Sequence, residues 1–240
     1  MPVTLEELAI RIPASIPLFE KYGLDYYQHG CQTLREACAG AQLVFDEVDR
    51  ELSLLHEAAL TLEDLSADRL IDYLNGRYHF GEKELLNAIH GKMQQLLRTT
   101  TGEQHRKLRC MELLFQRLAV QLTAHCEKED ELFFPWMRKL IVLHRSKSVH
   151  VMSEIRGFVS NPIRMLESEH VETLHLLEEI KQIAGNYAPL PGDPSEYAAL
   201  LSDLKAFESD LHMHLHIENN ILFPKLVQLE EELTRHLKTG

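Results

Sequence analysis

The sequence predicts an all-α protein: an antiparallel four-helix bundle preceded by a small helical N-terminal region. Three observations carry that expectation. Apolar residues recur at helical spacing through four long stretches, the pattern of helices that each bury one face. No stretch of useful length alternates apolar and polar residues as a half-buried strand would. One eleven-residue pattern is written twice, from His125 to Pro135 and from His214 to Pro224, which points to a duplicated helical hairpin.

Taken in order, Thr4-Leu5-Glu6-Glu7 has the form of a capping box and opens a short helix that Ile12-Pro13 breaks. A second short helix, Ser15 to Tyr22, should end at Gly23 in the left-handed region. Leu24 to Cys31 has neither period and reads as a loop. Leu34 to Cys38 and Gln42 to Ala58 are helical again, the latter with Val44, Val48, Leu52 and Leu55 on one face. Residues 1–58 are therefore set apart as a small helical N-terminal domain, and residues 66–236 as the bundle.

The bundle's first long helix runs from Ser66, a candidate N-cap, to about Leu97, with Ile71, Asn75, His79, Leu86 and Ile89 or His90 inward. Thr99 to Gly102 break it. The second starts near Gln104 and carries Leu114, Leu118, Gln121, His125, Glu129 and Leu132 inward; Pro135 either kinks it or ends it. After a weakly patterned connector, Asn161-Pro162 caps the third, with Ile163, Leu166, His170, Leu174 and Leu177 inward. Asp193 to Glu196 open the fourth, with Leu204, Phe207, Leu211, His214, Glu218 and Ile221 inward.

Composition narrows the function. A net charge of −12 argues against nucleic acid or an anionic membrane surface as the main partner. No apolar run reaches the ~20 residues that span a bilayer, and Met1 to Glu7 lack the basic-then-apolar order of a secretory signal. Four cysteines in 240 residues suggest no disulfide framework, and the expected setting is a reducing cytoplasm.

Both copies of the repeated pattern read His-x3-Glu, two polar residues, Leu or Ile, one apolar residue, then Phe-Pro. Residues four apart on a helix lie about 40° from each other around the axis, so each His shares a face with its Glu. The two copies begin 89 residues apart, and the preceding inward histidines, His79 and His170, are 91 apart. Each half thus offers one His on its first helix and a His-x3-Glu on its second. Brought together, His79, His125, Glu129, His170, His214 and Glu218 make an N4O2 set that suits two ions, two imidazoles on each and both carboxylates bridging. Imidazole and carboxylate without thiolate favour iron over manganese or zinc. Burying two carboxylates without a cation would cost several kcal/mol each.

Other histidines lack this pairing. His212 and His216 flank His214 and point to the opposite face, where a solvated position is expected. His90 lies on the His79 stripe but about 16 Å further along the axis. Ferritin-like sites repeat Glu-x2-His; Glu167 precedes His170 in that way, but Gly76 precedes His79. The repeated His-x3-Glu favours a hemerythrin-type site instead.

These motifs resemble the hemerythrin-like, or HHE, cation-binding domain. The arrangement of Arg77-Tyr78-His79, His125 to Pro135, Met165 to His170 and His214 to Pro224 is similar to the RIC family, the di-iron proteins for repair of iron centres. Ile16 to Tyr26 and Gln32-Thr33-Leu34 resemble that family's N-terminal domain. The resemblance implies two iron ions in a non-haem, oxo- or hydroxo-bridged centre, held by the six residues with Glu129 and Glu218 bridging. It implies repair of iron-sulfur clusters damaged by nitrosative or oxidative stress, by iron donation or nitric oxide chemistry. Damaged or apo iron-sulfur proteins and small diatomic ligands such as nitric oxide or oxygen would be the partners. The alternative it leaves is a hemerythrin-like carrier or sensor of oxygen or nitric oxide, or an iron store. Two departures from the family stand out. Tyr27 and Gln28 occupy its adjacent-cysteine positions, with Cys31 nearby, and Gln121 stands where a carboxylate is expected one turn before His125.

Overall fold

The computed structural model describes residues 3–12, 15–26, 30–58, 62–146 and 157–239; Tyr27, Gln28 and most of the connector after Arg145 lie outside them. Helices α1 (Leu5–Arg11), α2 (Ile16–Lys21), α3 (Leu34–Gly40) and α4 (Phe45–Ala58) make up the N-terminal part. Two reciprocal caps organise it. Thr4 and Glu7 close the expected capping box on α1, and Thr33 and Glu36 close a second one on α3. Thr4 and Thr33 also form an antiparallel bridge, the sole β-pairing among the described residues. Gly23 takes φ 66° as expected, and Leu24 N–H reaches back to the Phe19 carbonyl at 2.8 Å. Leu5, Ile16, Phe19, Val48 and Leu52 are buried in this part's own apolar core; Val44, expected among them, is exposed ahead of α4.

The bundle begins with α5 (Ala67–Leu74), which passes through a π turn at Asn75–His79; α6 (Glu82–Leu97) follows. The single long helix expected here is thus broken. Phe80 leaves the helical region at ψ 115°, and Gly81 turns the chain at φ 91° before Glu82 restarts it. Only glycine takes that backbone conformation without strain.

Next comes α7 (Gly102–Lys128), which runs through a π turn (Glu129–Phe133) into α8 (Phe134–Ser146). Pro135 therefore neither ends nor breaks the helix. A proline lacks an N–H and its ring collides with the carbonyl four residues back, and the widened π turn relieves both problems. The extra residue in the turn also shifts the inward face by one position. Leu132, expected inside, is 62% exposed, and Phe133 takes the buried place.

Helix α9 (Ser160–Ile183) is continuous. Asn161 does not cap it; Glu230 reaches across instead and accepts from Val159 N–H at 3.0 Å. Helix α10 (Ser195–Ile217) leads through a third π turn (Glu218–Leu222) into α11 (Phe223–Thr239), past Pro224. Asp193 accepts from Leu190 N–H and so closes the preceding loop rather than capping α10.

Helix α7 packs on α9 and α6, α10 on α6, and α8 on α11 and α5. Two apolar clusters fill the bundle. One spans Leu86–Leu96, Leu108–Cys126, Leu176–Ile180 and Leu200–Leu215. The other holds Ala67–Tyr78, Phe133–Ile141, Ile163–Leu166 and Ile217–Leu233. The six predicted donors fall where one cluster gives way to the other along the four helices. The N-terminal helices cover α10 on the side away from that layer, with Met213 touching both their core and the bundle's.

Candidate metal centre

Three of the six residues lie in the π turns: His79 closes the first, Glu129 opens the second and Glu218 opens the third. Such turns place side chains that a regular helix would rotate away from the bundle axis, which is why they recur at functional sites. The structure brings all six predicted residues together in two groups. One is His79, Glu129, His214 and Glu218; the other is His125, Glu129, His170 and Glu218. Within each group the donor atoms lie within 4.8 Å of one another, and both carboxylates belong to both groups.

The histidines converge in pairs. His79 Nε2 is 3.0 Å from His214 Nε2, and His125 Nε2 is 3.0 Å from His170 Nε2. Such convergence of two ring nitrogens on one point is what a shared cation would require. Glu218 directs Oε1 at His214 (2.9 Å) and Oε2 at His170 (3.2 Å), so it faces both groups. Glu129 Oε2 lies 3.5 Å from His79 and 3.3 Å from His125.

Electrostatics tests whether a cation belongs there. Glu129 and Glu218 are fully buried, and both oxygens of Glu129 and Oε2 of Glu218 have no hydrogen-bond partner. Burial, reinforced by the charge of Glu218, pushes the Glu129 carboxyl up. At Glu218 burial acts the same way, but His214, His170 and His79 together pull it well below the usual range. Burial disfavours charge on His79, yet Asp130 and Glu218 outweigh it and lift it to about 10. The balance at His125 is similar: Glu129 and Glu169 overcome burial and raise it to about 9. Protons held this tightly between buried acids and bases mark the places a cation would take over. The two groups fit a non-haem di-iron centre.

The supporting residues repeat with the duplication. His79 donates from Nδ1 to Asp130 Oδ1 (2.7 Å), and His170 donates to Asn219 Oδ1 (2.8 Å). Asp130 and Asn219 each follow the Glu of their copy. Fixing Nδ1 as the donor aims the Nε2 lone pair inward. Phe134 stacks on His79 (5.6 Å between ring centres) and Phe223 on His170 (5.9 Å). Tyr78 stacks on His214 at 5.0 Å. Sequence reasoning passed over these five residues; the signal available was that both copies write Glu-[Asp/Asn] and Phe-Pro at the same offsets. Glu169, the neighbour of His170, instead accepts from His125 Nδ1 (3.0 Å) and pairs with Lys128. Gln121 donates to the Glu169 carbonyl (3.3 Å) and to Thr173 Oγ1 (3.3 Å).

The expectation for the flanking histidines needs correction. His216 is buried, and His212 is half-buried and lies 3.6 Å from Glu20. The N-terminal helices, not solvent, cover that face of α10, and Tyr26 meets both rings edge-on. Burial holds His216 down to about 4, with the Ala9 backbone only partly offsetting it. His90 pairs with Glu112 at 2.9 Å, away from the six.

A bundle with this layer of four histidines and two shared carboxylates defines a hemerythrin-type cation-binding protein. The family model for the hemerythrin HHE cation binding domain matches residues 82–226. Proteins named iron-sulfur cluster repair protein YtfE, from Escherichia coli O81 (strain ED1a), E. coli O1:K1 / APEC and Escherichia fergusonii, are 31% identical over 223 residues. The alignments cover 92% of this chain and 94% of each relative. The chain belongs to the hemerythrin HHE family and, within it, to the iron-sulfur cluster repair proteins.

Proposed function

We propose that this protein repairs iron-sulfur clusters damaged by nitrosative or oxidative stress. In this reading His79, His125, His170 and His214 hold two iron ions that Glu129 and Glu218 bridge. The observation that carries it is the pair of four-donor groups sharing both carboxylates, buried between two apolar clusters. Iron bound there would supply a redox-active Lewis acid open to small diatomic ligands, nitric oxide and oxygen among them, and a store of iron for a damaged cluster.

The chain's own residues do the rest. Asp130, Glu169 and Asn219 fix the tautomer and ring plane of three histidines. Phe134, Phe223 and Tyr78 hold imidazole rings by stacking and keep bulk water from them. Relatives named for cluster repair cover almost the whole chain, including the N-terminal part, so a gas carrier is not the favoured reading. We read residues 1–58 as an accessory domain, supported by its own apolar core, and residues 66–236 as the bundle. Damaged or apo iron-sulfur proteins are the partners. The net charge of −12 speaks against nucleic acid. No helix among the described residues is long and apolar enough to cross a membrane. A reducing compartment such as the cytoplasm suits its four free thiols.

Two measurements test the reading. Iron-replete protein should carry two irons per chain, and the paired change His125→Ala with His214→Ala should abolish that content. Incubation with a nitrosylated iron-sulfur enzyme should restore the enzyme's activity. Recovery no better than with metal-free protein would refute repair.

A further inference from the structure

The duplicated halves diverge at several places next to the six donors. Three residues beyond the first-helix histidine, the first half has Glu82 and the second has Thr173. Thr173 is sealed in. It is buried, donates to the Glu169 carbonyl at 2.9 Å and accepts from the Gln121 amide, while Phe223 stacks over His170 and Lys128 pairs with Glu169. At the His125–His170 end the near carboxylate, Glu169, is taken up by His125 and Lys128, and the exposed Glu172 contacts Gln121.

The other end differs because its helix is interrupted. The Phe80–Gly81 break, absent after His170, lets α6 restart at Glu82 and leaves a cavity of about 210 Å3. His214, Tyr78, Glu82 and Asp210 are among its walls. At its outer edge Arg77 pairs with Asp210 through two contacts of 2.6 and 3.1 Å, both side chains about half-exposed. Phe80 stands 86% exposed beside it. Deeper in, the hydrogen bond that Glu82 makes comes from the Cys126 thiol, at 2.9 Å. A thiol is a weak donor that gives a carboxylate little of what water or a cation would. The corresponding positions at the sealed end are Gln121 for Asp210 and Thr173 for Glu82, neither of them acidic.

We propose that Glu82 is the transit ligand through which the ion held by His79 and His214 exchanges with solution, so that the two positions of the centre differ in lability. This rests on reading the six residues as iron ligands. Glu82 takes a ferrous ion as the imidazoles release it, and Asp210 takes it next once Arg77 swings clear. Only coordination bonds change; no electron moves. The His125–His170 position, whose near carboxylate Glu169 is already paired, releases its ion more slowly.

The test is anaerobic release to excess ferrozine from protein loaded under anaerobic conditions with ferrous iron only. Wild type should lose its iron in two phases of equal size. Anomalous scattering from crystals of half-depleted protein should show the remaining ion between His125 and His170. Glu82→Gln should slow the fast phase roughly tenfold, the low end of what outer-shell changes do at metal sites. It should leave the slow phase alone, and Glu82→Asp should recover part of the rate. One release phase, equal depletion of both positions, or an unchanged fast phase in Glu82→Gln would overturn the proposal while the ligand assignment stands. Wild type that never binds two irons per chain would sink both. The half-depletion result needs no variant, so poor folding of Glu82→Gln cannot shelter the idea.

Discussion

Stripping the metal should make the protein's stability fall steeply with pH over a range where the loaded protein stays firm. In the metal-free site His125 titrates at about 9 and His79 at about 10, both raised from 6.5. A base whose folded pKa is raised adds stability that is fully present below its unfolded pKa and is lost as pH climbs through the folded value. A tenfold gain in proton affinity on folding is worth about 1.4 kcal/mol. Integrated from pH 6.5 to pH 9, either histidine alone accounts for about 3 kcal/mol. The two draw on the same carboxylates, Glu129 and Glu218, so their contributions overlap, and about 3 kcal/mol is the expected total. Glu129 works in the same direction, since its raised carboxyl is ever less favourable as pH rises above the ordinary carboxylate range. Urea unfolding of metal-free protein at pH 6.5, 8 and 9 measures the loss directly. Reciprocally, cation binding displaces these protons, so the stability gap between loaded and metal-free protein should widen with pH. A flat metal-free profile, or a loaded protein that weakens equally, would refute the picture of protons standing in for a cation.

Three further outcomes are expected. Asp130→Ala and Asn219→Ala each remove an Nδ1 partner, of His79 and His170, and should weaken iron binding about 10- to 100-fold in chelator competition. Gly81→Ala should cost about 1–2 kcal/mol in urea unfolding through backbone strain alone, because an added Cβ at φ 91° meets nothing within 4 Å. His216, held down to about 4, contributes stability that is complete above 6.5 and is lost as pH falls through the folded value; about 3 kcal/mol should disappear from wild type between pH 6.5 and 4 by urea unfolding, and much less from His216→Phe.

The bundle and its polar layer were legible because they rest on periodicity and repetition. Inward stripes on four helices and two copies of His-x3-Glu need no knowledge of how the helices cross. What escaped depended on events that periodicity does not record. A π turn inserts one residue into the count, so Leu132 and Phe133 exchange faces although the pattern favours Leu132. The apolar spacing runs through Gly81 without interruption, and the positive φ that breaks the helix there depends on how α6 packs. His212 and His216 were misassigned for a different reason. The face opposite a buried site is solvated only if nothing else packs there, and where the N-terminal helices dock is a long-range fact.

The two π turns within the repeats also explain why each repeated pattern ends in Phe-Pro. For one helix to give His125 and Glu129 to the site and then return Phe134 over His79, the chain must turn through less angle per residue than an α-helix does. One inserted residue does this, and the same offset in the second copy brings Phe223 over His170. The proline then sits where an α-helical N–H would have sought a carbonyl that the π turn has moved, so its missing donor costs little. Candidate ligand, shared carboxylate, Nδ1 partner and stacking ring thus follow from one eleven-residue unit used twice. Symmetry of that kind would provide two equivalent positions for iron. A protein that only bound a gas could keep them equivalent, but one that gives up iron gains from having one position open. Two of the chain's departures from its own repeat, Glu82 against Thr173 and Asp210 against Gln121, put a carboxylate in the cavity on the His79–His214 side.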